Sequence, residues 1–226
     1  MHSNLLLQFG PNIWTVEQPS SFLGVPLGLR MTIVRLRNQQ LLIHSMIPCN
    51  EETYTAIDTL GEVRYLISPN LEHTRFIQEW QQHYPKSALY APTDQCLTKH
   101  ALAGRTNNLL PFQHNEIQCI AVNGMPRLQE FVFFHAESQT LILTDLAFNL
   151  GGTMSLWGKI FLHLNAAYKR FTPTRILKSL IKDRAAFNDS IQAISKWDFT
   201  KIIIAHGSPI TQDARNTFEK AFAWAL

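Results

Sequence analysis

Val63-Arg64-Tyr65-Leu66-Ile67-Ser68-Pro69-Asn70-Leu71-Glu72-His73 is the stretch on which the fold turns. Val63–Ser68 is a compact run of β-formers, and Pro69 stops it because proline has no N–H to give to a ladder. His73–Tyr84 then reads as a helix, with Phe76, Ile77 and Trp80 at i, i+1 and i+4 on one face, as a core-facing surface requires. A strand that hands over to a helix through a short polar loop is a building unit of α/β domains. In such domains ligands sit beyond the C-terminal ends of the strands, where Glu72 and His73 stand.

Upstream, Asn12–Gln18, Met31–Leu36 and Leu41–Ile47 are strand-like, and Pro19, Gly24, Pro26 and Gly28 mark a loop between the first two. Asn50 is placed to cap a helix whose first turn holds Glu51 and Glu52 and which ends near Gly61. Downstream, the strand Ala88–Ala91 and the helix Gln95–Ala103 repeat the cycle. Ile117–Val122, Glu130–Phe134 and Thr140–Thr144 are three successive strands, with Glu137-Ser138-Gln139 turning between the last two. After Asp145 helices dominate. Leu156–Tyr168 carries Leu156, Ile160, Leu164 and Ala167 on one face, and Ala185–Trp197 carries Phe187, Ile191 and Ile194 on another. Lys201–Ala205 is a last buried strand, and Ala214–Trp224 is a closing helix capped by Thr211. Neither a repeat nor a Gly/Ser linker interrupts the chain, so residues 1–226 read as a single α/β domain.

Composition narrows the function classes. The chain has 226 residues, 46% of them hydrophobic and only 16% charged, against about 25% charged in an average globular protein. Such a charge-poor surface keeps a dimer interface in view. A net charge of +3 is too small to point to nucleic acid. Cys49, Cys96 and Cys119 are odd in number and far apart, which suggests neither a disulfide framework nor a zinc ribbon. The first residues have no cationic leader, and nowhere do 18 apolar residues run together, so a reducing cytoplasm is the expected compartment. Gly151-Gly152 lacks a phosphate-loop lysine, and no Gly-x-Ser-x-Gly elbow occurs. The five tryptophans are expected in the core and at helix interfaces.

Nine histidines supply material for a metal site or for acid–base chemistry. His2, His83, His100, His114 and His163 fall in loops or on helices without patterned polar company, and His135, ahead of a hairpin turn, is expected to be exposed. Three differ, because they stand at strand ends: His44 in Leu41–Ile47, His73 after Val63–Ser68, and His206 in Ala205-His206-Gly207-Ser208-Pro209. A fourth strand end carries an acid, Asp145 in Leu143-Thr144-Asp145-Leu146, and a carboxylate closing a run of β-formers needs a partner.

Ser-Pro-Asn-Leu-Glu-His at 68–73, Leu-Thr-Asp-Leu at 143–146 and Ile-Ala-His-Gly-Ser-Pro at 204–209, in this order and spacing, resemble the metallo-β-lactamase-like superfamily. Pro11-Asn12-Ile13-Trp14-Thr15-Val16, Asp183-Arg184-Ala185-Ala186-Phe187 and Trp197-Asp198-Phe199 are similar to recurrent stretches of an uncharacterised family, a domain of unknown function, within it. The resemblance implies a four-layered αββα sandwich with its site at one edge between two sheets. It also implies two metal positions, fed by a His-x-His-x-Asp-His run that falls here on residues 68–73. The leading histidines of that run are Ser68 and Asn70 in this chain, and no histidine stands near Met125-Pro126, so the first position is lost. The second keeps Glu72, His73, Asp145 and His206, a set adequate for one zinc, iron or manganese ion. Ser68, Asn70, His44 and Asn149 then belong to the surroundings that orient ligands or meet substrate, with Asn70 able to donate to an oxyanion.

Two functions are compatible with this pattern. One is a mononuclear metal-dependent hydrolase acting on an ester, amide or thioester of a small molecule. The other is a catalytically degenerate relative that binds a ligand or partner without metal, its His and carboxylate residues forming a hydrogen-bonded cluster. Loops Pro19–Leu29, Gly104–His114 and Gly151–Leu156 are expected to build the substrate pocket. A basic segment, with Lys169, Arg170, Arg175, Lys178, Lys182 and Arg184, reads first as a solvated linker and second as a surface for nucleic acid or acidic membrane.

Overall fold

Alternation along the strands sorts the apolar side chains into three separate cores, and these cores define the layers. The fold is described from a computed structural model covering residues 6–92 and 116–226. The expected helix Gln95–Ala103, the loop Gly104–His114, Cys96, His2, His100 and His114 lie outside the described residues.

The strands are β1 (Leu7–Gly10), β2 (Ile13–Gln18), β3 (Ser21–Phe22), β4 (Val25–Pro26), β5 (Leu29–Arg35), β6 (Gln40–His44), β7 (Glu62–Ile67), β8 (Ala88–Tyr90), β9 (Ile117–Ala121), β10 (Phe131–His135), β11 (Thr140–Ile142), β12 (Phe148–Asn149), β13 (Phe171–Thr172) and β14 (Lys201–Ile203). The helices are α1 (Glu51–Asp58), α2 (Ile77–His83), α3 (Leu156–Leu164), α4 (Arg175–Ser179), α5 (Arg184–Ser195) and α6 (Ala214–Phe222). One sheet runs β1-β2-β5-β6-β7-β8 and a second runs β14-β11-β10-β9.

On β6, Leu41 and Ile43 face α1 and α2, where they meet Tyr54, Ile57, Ile77 and Trp80, whereas Leu42 faces the second sheet. On β10, Phe131 and Phe133 fill the space between the sheets with Val34, Ile67 and Ile203, whereas Val132 and Phe134 face α5 and α6. A period of two on both sheets thus gives helix, sheet, sheet, helix. Packing helices on both outer faces lets the neighbouring strands β6, β7 and β8 run parallel, as do β11 and β14.

Caps explain several helix starts. Asn50 accepts from the N–H of Thr53 at 2.9 Å, Asp183 from that of Ala186 at 3.0 Å, and Ser155 from that of Gly158 at 3.1 Å. Other expectations are corrected. The helix expected from His73 begins at Ile77, because Asn70 holds residues 72 and 73 in a turn. Asp213, in the left-handed region at φ 50°, precedes α6 in place of a Thr211 cap. His135 is buried, not exposed, and its Nδ1 contacts the hydroxyl of Ser138 at 2.7 Å. The face of α3 that carries Leu156, Ile160 and Leu164 points to solvent, as does Trp157. The basic stretch after it folds as β13 and α4 instead of an open linker.

Candidate metal centre

Three strand ends converge at one edge between the sheets. The turn after β7 brings His73, the segment after β11 brings Asp145, and the loop after β14 brings His206. His73 Nε2 lies 3.1 Å from Asp145 Oδ2 and His206 Nε2 lies 3.2 Å from Asp145 Oδ1. One ligand atom from each residue falls within 4.8 Å of the others, the only such His/Cys/Asp/Glu group among the described residues.

Each imidazole is anchored through its other nitrogen. His206 Nδ1 is 2.7 Å from the carbonyl of Gly28, which can only accept, so Nδ1 carries a proton and a neutral ring presents a lone pair at Nε2. The hydroxyl of Ser45 lies 2.7 Å from His73 Nδ1. Such anchoring fixes ring orientation and, at His206, the tautomer, as metal-ligating imidazoles require.

The loop that carries His206 is itself clamped. Gly207 donates from its N–H to Leu27, and Arg30, buried and paired with Glu17 at 2.6 Å, donates to the carbonyl of Ile204. Gly207 adopts φ +89°, and a Cβ there would meet the carbonyl oxygen of Asn149 at 2.2 Å, so only glycine fits. Asn149 thereby braces the loop: its amide donates to Ser208 O at 2.9 Å and its own carbonyl accepts from the N–H of Ser208.

Electrostatics follow from these contacts. Burial alone would raise the Asp145 carboxyl, but the charge of His73 and hydrogen bonds from His206 and His73 hold it well below the usual carboxylate range. For His206 burial pulls the pKa down, and the hydrogen bond and charge of Asp145, with the Gly28 carbonyl, raise it above the ordinary value.

The other expected residues divide. Glu72 is exposed and lines the adjoining cavity, and its carboxylate is not among the clustered ligand atoms. Ser68 is fully buried and donates to the carbonyls of Asn70 and His73. Asn70, expected as an oxyanion donor, is buried and committed elsewhere. Its Oδ1 accepts from the N–H groups of Glu72 and His73, and its amide donates to Asp145 Oδ2 at 2.8 Å and Thr144 Oγ1 at 3.2 Å. His44 is buried against Phe133 with an unpartnered Nε2, and burial, then the charge of His73, lowers its pKa to about 3.

Sequence reasoning missed Glu130. Read as the first residue of a strand, it is a fully buried carboxylate that accepts from the N–H groups of Thr144 and Asp145, each at 2.9 Å. Burial and then the charge of Asp145 raise it to about 7. A polar residue heading the apolar run Phe131-Val132-Phe133-Phe134 was the available signal.

Beside the cluster lies a cavity of about 480 Å³. His73, Asp145 and His206 contribute to its lining, and its walls are mostly apolar, including Leu29, Met46 and Phe148. Glu72 and Arg75 also line it, as does part of the expected loop Pro19–Leu29. The segment Gly151–Leu156 contributes instead to a separate cavity of about 340 Å³, through Gly151 and Thr153.

The architecture is that of metallo-β-lactamases. The metallo-β-lactamase of Pontibacter korlensis is similar at 11% identity, with a TM-score of 0.64 over 97% of this chain and 98% of that one. A metallo-β-lactamase of Pseudomonas aeruginosa, solved in a mono-zinc form, gives 14% identity and a TM-score of 0.63 over 98% and 94%. A candidate diflavin flavoprotein of Nostoc gives 10% and 0.68 over 98% and 94%. Identities this low establish the fold and leave chemistry to the site. No curated protein matches. Residues 11–155 do match a family, and they show that the chain belongs to the family described as Domain of unknown function (DUF4336), here in a metallo-β-lactamase fold.

Proposed function

We propose that the protein is a mononuclear metal-dependent hydrolase of an ester, amide or thioester. The observation that carries this reading is the donor set. Two imidazole nitrogens and a carboxylate converge beside a cavity, and the Gly28 carbonyl holds the proton on His206 Nδ1, so that Nε2 is the nitrogen that can give up its proton to an ion. His73, His206 and Asp145 would hold one divalent ion, zinc, iron or manganese, in a three-ligand arrangement that leaves room for a reactant. Such an ion supplies Lewis acidity when bound.

The chain's own residues do the rest. Asp145 orients a water or takes its proton, steadied by the amide of Asn70. The apolar cavity walls hold the acyl portion and exclude bulk water, while Arg75 offers a cation to a carboxylate or phosphate on the substrate. Ser68, Asn70 and Glu130 shape the loop without touching substrate, which agrees with their complete burial.

Calorimetric titration of the purified protein with zinc, iron(II) and manganese(II) tests the reading. One equivalent should bind, and His206→Ala or Asp145→Asn should weaken binding by about 100-fold or more while the fold persists. Failure of every metal to bind would sink it. A specific observation favours a second reading, a metal-free binding protein: both imidazole–Asp145 contacts are of hydrogen-bond length, so a doubly protonated His206 makes a closed ion-paired network. Nitrogen NMR shifts of a doubly protonated His206, unchanged by added metal, would select it.

A further inference from the structure

Leu156, Trp157, Ile160 and Leu164 recur along α3 in the pattern of a buried face, yet they are 74%, 52%, 44% and 62% exposed. The opposite face is the one that packs, through Leu162 against Val25, Leu150 and Ala167. Trp157 Nε1 donates to the carbonyl of Leu23 at 3.0 Å, which joins this face to the exposed tip Phe22-Leu23. With Ile176 on α4, seven of the nine large apolar side chains exposed among the described residues belong to this surface. That concentration is not what scattered surface apolar residues look like.

The same segment has a single sign of charge. Residues 146–182 contain Lys159, Lys169, Arg170, Arg175, Lys178 and Lys182 and no Asp or Glu. All six are exposed, and among the described residues none of them forms an ion pair, although Lys178 packs over Trp224 at 4.5 Å.

We propose that this face docks on an anionic lipid bilayer, with the exposed side of α3 and the tip Phe22-Leu23 entering the headgroup–acyl boundary and the flanking cations meeting lipid phosphates and carboxylates. An exposed apolar helical face with a tryptophan, bordered by Lys and Arg, is the physical requirement for interfacial binding. Two other occupants fit less well. A second copy in a two-fold contact would bring the same cations toward each other, and nucleic acid would leave the apolar side chains in water. Continuity with the cavity adds to this, since Phe22 and Ile176 belong both to the exposed surface and to the cavity lining. Apolar molecules concentrated at the bilayer would therefore reach the cavity directly.

The test is sedimentation of the whole protein with phosphatidylcholine vesicles, with and without phosphatidylserine. Binding should require phosphatidylserine and weaken steeply with added salt. The pair Ile160→Ser/Leu164→Ser, and separately Lys169→Glu/Arg170→Glu, should each lower it about tenfold or more, with unfolding midpoints unchanged. Absence of binding to phosphatidylserine vesicles at low salt overturns the proposal. So does a dimer, seen by light scattering without lipid, that Ile160→Ser/Leu164→Ser dissolves. Binding of an RNA oligomer that is lost on charge reversal but indifferent to the serine pair also overturns it, in favour of nucleic acid.

Discussion

Two clusters of polar side chains adjoin at the same sheet edge and are built in opposite ways. Around Ser68, Asn70 and Glu130, the hydrogen bonds run mainly to backbone groups or between side chains of the cluster, and all three residues are fully buried. Around His73, Asp145 and His206, each imidazole uses one nitrogen to fix itself and leaves the other facing a carboxylate beside a cavity. The first cluster is fully buried, whereas the second brings three ligand-type atoms together at the cavity wall. Where the resemblance anticipates two metal positions, the residues at the first are packed as scaffold beneath the candidate site formed by His73, Asp145 and His206.

That contrast can be broken by removing scaffold. Glu130→Leu strands the buried N–H of Thr144 and the partly buried N–H of Asp145, so it should lower stability by about 3 kcal/mol or more, read from urea unfolding. A loss under about 1 kcal/mol would mean the first cluster is not structural. Gly207→Ala should cost about 2 kcal/mol through its positive φ and the clash with Asn149 O, and should weaken metal binding because His206 is displaced. Unchanged affinity would separate the loop clamp from the ligand.

Smaller effects sharpen the contrast. Ser45→Ala should weaken metal binding by about tenfold, with stability nearly unchanged, since it frees only the His73 ring. His44 gives the pH-dependent case. Its folded pKa of about 3 lies below the ordinary 6.5, so between these values the unfolded chain takes up a proton that the folded chain refuses. Stability contributed by neutral His44 is therefore present above about 6.5 and lost as pH falls toward about 3. His44→Leu should flatten that acid limb relative to the parent protein in a series of denaturant midpoints. An identical slope would show that His44 titrates normally.

Much of the fold was legible because both sheets obey a period of two and each outer helix turns one apolar face inward, as Leu41, Leu42 and Ile43 on one sheet and Phe133 and Phe134 on the other illustrate. For helix α3 periodicity shows the shared face of Leu156, Ile160 and Leu164 without saying whether that face finds a partner. His73, Asp145 and His206 stand at strand ends, and the structure brings these three together at one edge. Glu72 is expected with them because the loop motif pairs it with His73, but in the turn held by Asn70 its carboxylate stays outside the cluster.

The sequence by itself determined the order of strands and helices, the strand-end placement of His73, Asp145 and His206, and the presence of Ser68 and Asn70 where the resemblance would put histidines. Those are properties of residue type and spacing. Only the tertiary structure decided that Glu130 lies buried under Asp145, that Gly28 sets the tautomer of His206, and that the apolar face of α3 looks outward. Each of these rests on a contact between residues distant in the chain, such as the 178 positions separating Gly28 from His206. Local periodicity carries no information about such pairs, because the hydrogen bond exists only once the two sheets have closed on each other.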